Sequence, residues 1–144
     1  MFTSFSHLYY RVRDVDESIA WYTKHLGFRV LRKYSTNGRV SAYLELGGVL
    51  LEVGSAASPS DLPGPNGERR LGITTTDMDG DLAALRSNGV EVVDEPFDAR
   101  TFWGRQCVIK DPNGYWISLR EWNAPDGPHY ADWQPKHEGV VRIQ

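Results

Sequence analysis

The run "VLLEV", residues 49–53, places one carboxylate, Glu52, among apolar neighbours. A carboxylate removed from water is costly unless paired, so Glu52 is expected either to meet an arginine or to be held ready as a general base. Other residues carry complementary chemistry. His7 offers an imidazole for a ligand, for packing or for a metal ion. Arg11, Arg70, Arg105 and Arg120 offer planar forks suited to a carboxylate or phosphate. Tyr9, Tyr43, Trp103 and Trp116 offer flat faces for stacking, although filling core is the plainer use of any one ring. Ser118, in "KDPNGYWISLREW", is a neutral hydroxyl inside a strand. Neither a nucleophile elbow, nor a P-loop, nor a dinucleotide-binding glycine pattern is present.

These side chains need strands to aim them, and the chain writes the same elements twice. "RVRDVDESIAWYTKHLGFRV" and "TTTDMDGDLAALRSNGVEVV" each hold a strand end, a D-x-D, an amphipathic helix, a glycine and a new strand. Asp14 and Asp16 match Asp77 and Asp79 at an offset of 63 residues, and Gly27 matches Gly89. Asp16 and Asp79 are expected as helix N-caps, with Ile19, Tyr22 and Leu26 or Leu82 and Leu85 on the apolar stripe and Gly27 or Gly89 ending each helix. "ELGGVLLEVGS" and "KDPNGYWISLREW" repeat in turn, each a glycine turn (Gly48, Gly114) entering a strand. The unit is thus strand, helix and three strands, first over about 5–54 and again over about 69–122, within one domain of 144 residues. A Pro/Gly/Ser-rich linker, 55–68, joins the copies, and an extension, 123–144, has no counterpart in the first.

Alternation along the strands sorts the side chains onto two faces. Leu8, Tyr10 and Val12 oppose His7, Tyr9 and Arg11; Ala42 and Leu44 oppose Ser41, Tyr43 and Glu45; Leu51 and Val53 oppose Leu50 and Glu52. In the second copy Leu71 and Ile73 oppose Arg70, Gly72 and Thr74, Cys107 and Ile109 oppose Gln106 and Val108, and Ile117 and Leu119 oppose Trp116, Ser118 and Arg120. One face is apolar enough to carry the helices, which puts Cys107 there and argues against a nucleophilic role. The other is polar yet rich in arginine and aromatic rings, a pattern that suits a ligand cleft better than a plain wet surface.

Composition narrows the classes. A net charge of −3 with acids and bases interspersed gives no stripe for a phosphate backbone, so nucleic acid is not an expected partner. No apolar run approaches the ~20 residues that span a bilayer, and no secretory leader is evident, so no membrane association is expected. The single cysteine cannot form a disulfide within the chain, which fits a reducing compartment, and a cytoplasmic location is expected.

The doubled unit, the D-x-D before each helix, "WYTKHLGF" closing the first helix and "DPNGYWISL" near the end together resemble the vicinal oxygen chelate superfamily, over about Phe5 to Trp122. That group takes in glyoxalase I, extradiol dioxygenases and the bleomycin-resistance binding proteins, and "FWGRQCVIKDPNGY" is similar to the drug-sequestering branch. The resemblance implies an α+β fold of two tandem βαβββ modules forming an open eight-stranded cup with helices on the outer face, commonly in a homodimer. It also implies four metal-ligand positions, on the first and fourth strands of each copy. Two of them fall at His7 and Glu52, and the repeat carries these to Arg70 and Ser118. An arginine offers only donors and a serine is a weak neutral ligand, so no bound metal is expected. Arg70 is then either the partner of Glu52 or a clamp for an anionic ligand.

The expectation is therefore a small-molecule-binding protein of the glyoxalase/bleomycin resistance type. It would bind a natural product or an aromatic or anionic metabolite through His7, Tyr9, Arg11, Tyr43, Arg70, Trp103, Arg105, Trp116, Ser118 and Arg120, with Glu52 as the catalytic group of any metal-independent step. The alternative is a lyase, isomerase or dioxygenase that holds one divalent metal ion through His7 and Glu52, with a third ligand from the extension, such as His129 or His137, or from a partner chain. A third reading is a structural or regulatory domain with an empty cup.

Overall fold

The computed structural model describes residues 1–64, 70–123, 138–141 and 143. The chain divides into two compact units, Met1–Asn66 with Pro112–Gly114, and Gly67–Asp111 with Tyr115–Gln144. The first holds β1 (Leu8–Val12), α1 (Val15–Leu26), β2 (Arg29–Thr36), β3 (Arg39–Leu46) and β4 (Val49–Ser55). The second holds β5 (Arg70–Thr75), α2 (Met78–Ser87), β6 (Glu91–Asp98), β7 (Gly104–Lys110) and β8 (Trp116–Trp122). The tandem βαβββ class expected from the repeat is what the described residues form.

Each unit is a four-stranded mixed sheet, ordered β1-β4-β3-β2 and β5-β8-β7-β6. The first strand runs parallel to the fourth, and the other pairs are antiparallel. The registers correspond as well. Tyr9 lies beside Glu52, which is flanked on its other side by Tyr43, while Gly72 lies beside Ser118, flanked by Val108. Glu52 and Ser118 therefore occupy equivalent places in the two sheets.

The helices form because each has a cap, an apolar stripe and a stop. The caps are Asp14 and Asp77, the first acid of each D-x-D, and not Asp16 and Asp79 as the sequence suggested. Asp14 accepts from the backbone N–H of Glu17 at 2.9 Å and Asp77 from that of Gly80 at 3.0 Å. The second acid has a different use. Asp16 pairs with Lys33 of β2 at 2.6 Å, and Asp79 meets Arg105 of β7 through two bonds of 3.1 Å. One acid thus starts the helix and the next ties it to a strand, in both copies. Gly27 closes α1 in the left-handed region at φ 73°, where a Cβ would be strained.

Both helices bury their stripes against the same side of their sheets. Val15, Ser18 and Tyr22 of α1 are buried over Ala42 and Leu44 of β3 and Leu51 and Val53 of β4, and Met78, Leu82 and Leu85 of α2 are buried in the second unit. Burial of each large apolar side chain is worth about 1.5–3 kcal/mol. The opposite face of each sheet is left to the polar and aromatic set. Replacing Asp14 or Asp77 with Ala removes a cap and should cost about 0.5–2 kcal/mol in urea unfolding. Asp16→Ala should cost less, because its ion pair is exposed.

Candidate functional site

On the first sheet, β2, β3, β4 and the residue just before β1 bring five side chains together on the face away from α1. Glu52 is buried, and its two oxygens are held by different groups. Tyr34 Oη–H donates to Oε1 at 2.5 Å, and His7 Nε2 lies 3.0 Å from Oε2. Ser6 Oγ lies 2.9 Å from His7 Nδ1, so an imidazole donating from Nε2 to Glu52 has its other nitrogen placed to accept from the serine. Tyr43 stands edge-on to His7 with centroids 5.3 Å apart and stacks with Tyr34 at 6.0 Å and 19°. The Arg32 guanidinium lies over both tyrosine rings, 4.8 Å from Tyr34 and 5.2 Å from Tyr43. Within this unit the partners of Glu52 are a phenol and an imidazole where an arginine was expected.

The hydrogen bond to Glu52 pushes the Tyr34 phenol up to about 12, with burial and Tyr43 adding to it. Ionising that phenol would set a second negative oxygen against the carboxylate. Tyr34 and Arg32 are functional side chains that strand alternation does not reveal. Strict alternation puts Tyr34 on the face of Val30, toward the helix, but a bulge between Val30 and Arg32 reverses the facing.

On the second sheet the equivalent face is cationic. Arg70 lies over the Trp116 ring at 4.7 Å, and Arg120 over Phe102 at 5.2 Å. Phe102 packs on Trp122 with centroids 4.5 Å apart. Ser118 is buried between these groups, beside Gly72. The second sheet has no carboxylate at this position.

The remaining candidates fall elsewhere. Tyr9 is 39% exposed and lies across Gly54, where a Cβ would come within 2.3 Å of its hydroxyl, and Arg11 covers the ring at 5.0 Å while donating to the Ser55 carbonyl. Trp103 is 48% exposed in the loop before β7. Arg105, expected among the ligand contacts, points the other way. It shares the helix-side face of β7 with Cys107, and its guanidinium is committed to Asp79 and, at 2.5 Å, to Glu121. These acids hold its charge in place, raising its pKa further. Cys107 is fully buried, and desolvation pushes its thiol up to about 11. His129 and His137 lie outside the described residues.

Residues 4–119 match the model of the Glyoxalase/Bleomycin resistance protein/Dioxygenase superfamily. The chain belongs to that superfamily. It is 27% identical over 121 residues to a lactoylglutathione lyase of Arabidopsis thaliana, a match that covers 80% of this chain and 43% of the plant protein. The chain thus spans less than half the length of that relative. Among solved structures it is similar to TnmS3, an antibiotic binding protein from Streptomyces sp. CB03234, with a TM-score of 0.65 at 27% identity over 85% of this chain and 100% of that one. It is also similar to the trypanothione-dependent glyoxalase I of Leishmania major, with a TM-score of 0.66 at 26% identity over 80% of this chain and 84% of that one. No helix among the described residues is long and apolar enough to cross a membrane.

The chemistry of the donors tests whether these sheets suit a metal of the kind the resemblance implies. The first offers His7 and Glu52, already turned toward each other, and the equivalent positions of the second hold Arg70 and Ser118. Catalytic metal sites usually take three imidazole, thiolate or carboxylate ligands, and among the described residues no such group of three is found. His7 and Glu52 are two such ligands, and the equivalent positions of the second sheet add no third.

Tyr34 provides a direct check on this geometry. Its neutral form is favoured by folding, so the stability it contributes is full below the ordinary phenol value of 10.0 and is lost as pH rises toward about 12. Titration of tyrosinate absorbance should show one phenol ionising late, and Tyr34→Phe should remove that component.

Proposed function

We propose that this protein binds a natural product or an aromatic or anionic metabolite on the aromatic-lined polar faces of its sheets, without drawing on a resident metal ion. The observation that carries the reading is the Glu52 carboxylate, buried and held by Tyr34 and His7, under a stack of Tyr43, Tyr34 and Arg32. A carboxylate has about four lone-pair positions, so one bond from Tyr34 and one from His7 leave room for a ligand donor. The stacked rings and the exposed Arg32 offer a flat surface beside it. The antibiotic-binding description of TnmS3 supports the same class of ligand.

A ligand that binds only the folded chain raises its melting temperature, by about 2.7 kcal/mol of stability at a hundredfold excess over Kd. A panel of natural products and aromatic acids should contain compounds that raise Tm by several degrees and are recovered unchanged by mass spectrometry. Glu52→Gln keeps the shape and an acceptor for Tyr34, so it should retain binding while abolishing any turnover that Glu52 supports as a base. Full turnover in that variant would remove Glu52 from the chemistry.

The contact between His7 and Glu52 favours a second reading, a metal-dependent lyase or isomerase in the manner of the lactoylglutathione lyase relative, because two ligand-type groups already share one place. Elemental analysis after incubation with Mn, Fe, Co, Ni and Zn and desalting separates the two. About one ion per chain, lost on His7→Ala, would establish the second reading over the first.

A further inference from the structure

The second sheet carries a set of donors with nothing to donate to among the described residues. Trp116 Nε1 and Arg120 Nε are buried and have no hydrogen-bond partner among the described residues, and neither Arg70 nor Arg120 forms an ion pair there. A buried guanidinium nitrogen without an acceptor is a costly arrangement that an anion would relieve. The acids described on β6, β7 and β8 are engaged or remote. Glu121 lies in register with Arg105 and is bound to it, Glu91 holds Lys110 at 2.6 Å, and Asp94 stands on β6, two strands from Arg120.

The register shapes these donors into a slot. Arg70 pairs with Trp116 and Thr74 with Arg120, so the two arginines start about 13 Å apart along the strands, at about 3.3 Å per residue. Between them lie Gly72 and Ser118, the two smallest residues that β5 and β8 place on this face. Arg120 leans back over this floor, since a Cβ at Gly72 would stand 3.9 Å from its Nε. Trp116 closes one end, and Phe102 with Trp122 the other. The slot has aromatic ends, a small neutral floor and cationic arms.

We propose that this face of the second sheet is a carboxylate-binding subsite that receives the anionic end of a flat ligand, with Arg120 and Arg70 as its cations and the Trp116 indole N–H as a further donor. The inference rests on the small-molecule-binding reading and specifies which ligands it admits. The arginine fork matches a carboxylate and a phosphate alike, but only the planar carboxylate, in the plane of its ring, also fits a slot between aromatic ends. Ser118 then has a function through its size and neutrality. A glutamate there would reach the arginines itself and occupy the slot from within.

The test uses isothermal titration of the full chain with 2-naphthoate, with the neutral ring 2-naphthol and with inorganic phosphate. The naphthoate should bind at least about tenfold more tightly than the naphthol, the difference expected for one charge-assisted contact, and phosphate should not displace it. Arg120→Gln should weaken naphthoate about tenfold and leave naphthol unchanged, while Ser118→Glu should abolish naphthoate binding and Ser118→Ala preserve it. Melting curves establish that each variant is folded, and if Ser118→Glu is not, Arg120→Gln decides alone. Equal affinity for naphthoate and naphthol, displacement by phosphate, or an unaltered Arg120→Gln would overturn the subsite. A neutral compound that stabilises the wild type and Arg120→Gln equally would leave the binding reading standing and remove only this inference.

Discussion

A carboxylate in the middle of a sheet must be hydrogen bonded, and the way Glu52 meets that demand organises the face around it. Neighbouring positions on β1 and β3 cannot supply two donors from the backbone, because the ladder already uses those groups. The donors therefore come from side chains, Tyr34 from the edge strand β2 and His7 from just before β1. Each donor is fixed in turn, Tyr34 by its stack on Tyr43 and His7 by Tyr43 and Ser6. Buried polar networks of this kind rigidify when every member is satisfied and fail when one is not. The face is preorganised because the charge beneath it leaves little choice.

The two copies show which parts of the unit are framework and which are site. In both, the first aspartate of D-x-D caps a helix and the second ties that helix to a strand. In both, the parallel pairing of first and fourth strands sets equivalent residues side by side. The copies part company on the face away from the helix. The first puts an acid at the centre and surrounds it with neutral donors, and the second puts a serine there and surrounds it with cations. Because framework and site use opposite faces of the same strands, the second can change without disturbing the first.

That separation also explains what could be read from the sequence. The repeat, the helix spans and the facing of most strands follow from local periodicity, and they specified the tandem βαβββ organisation. The N-caps were misplaced by two residues because D-x-D offers two equally good capping side chains, and only the position of Lys33 or Arg105 decides which is free to cap. The facing of Arg105 turns on the same kind of contact. Its fork suits a ligand anion, but alternation puts it beside Cys107, on the side where Asp79 waits. Tyr34 was out of reach altogether, since a single bulge residue in β2 reverses the facing of everything after it, and "RVLRKYST" carries no glycine or proline to announce one. Phe102 and Trp122 were within reach, Trp122 by extending the alternation of β8 two residues past Arg120.

The electrostatics of the site positions bear on the class of ligand. A metal-chelating site concentrates lone pairs, whereas the second sheet concentrates N–H groups, and a permanently charged arginine in place of an imidazole repels the cation that the imidazole would have bound. Keeping such a residue half in contact with a tryptophan ring is favourable, since the ring faces the guanidinium with its electron-rich side, but this satisfies none of the fork's hydrogen bonds. Stacking and hydrogen bonding use perpendicular directions of the same group. Contact with the Trp116 and Phe102 rings thus leaves the in-plane N–H groups of Arg70 and Arg120 for another partner, and a carboxylate meets a guanidinium in that plane. The aromatic residues of this face do more than offer surface to a ring: they also hold its cations in contact with the sheet.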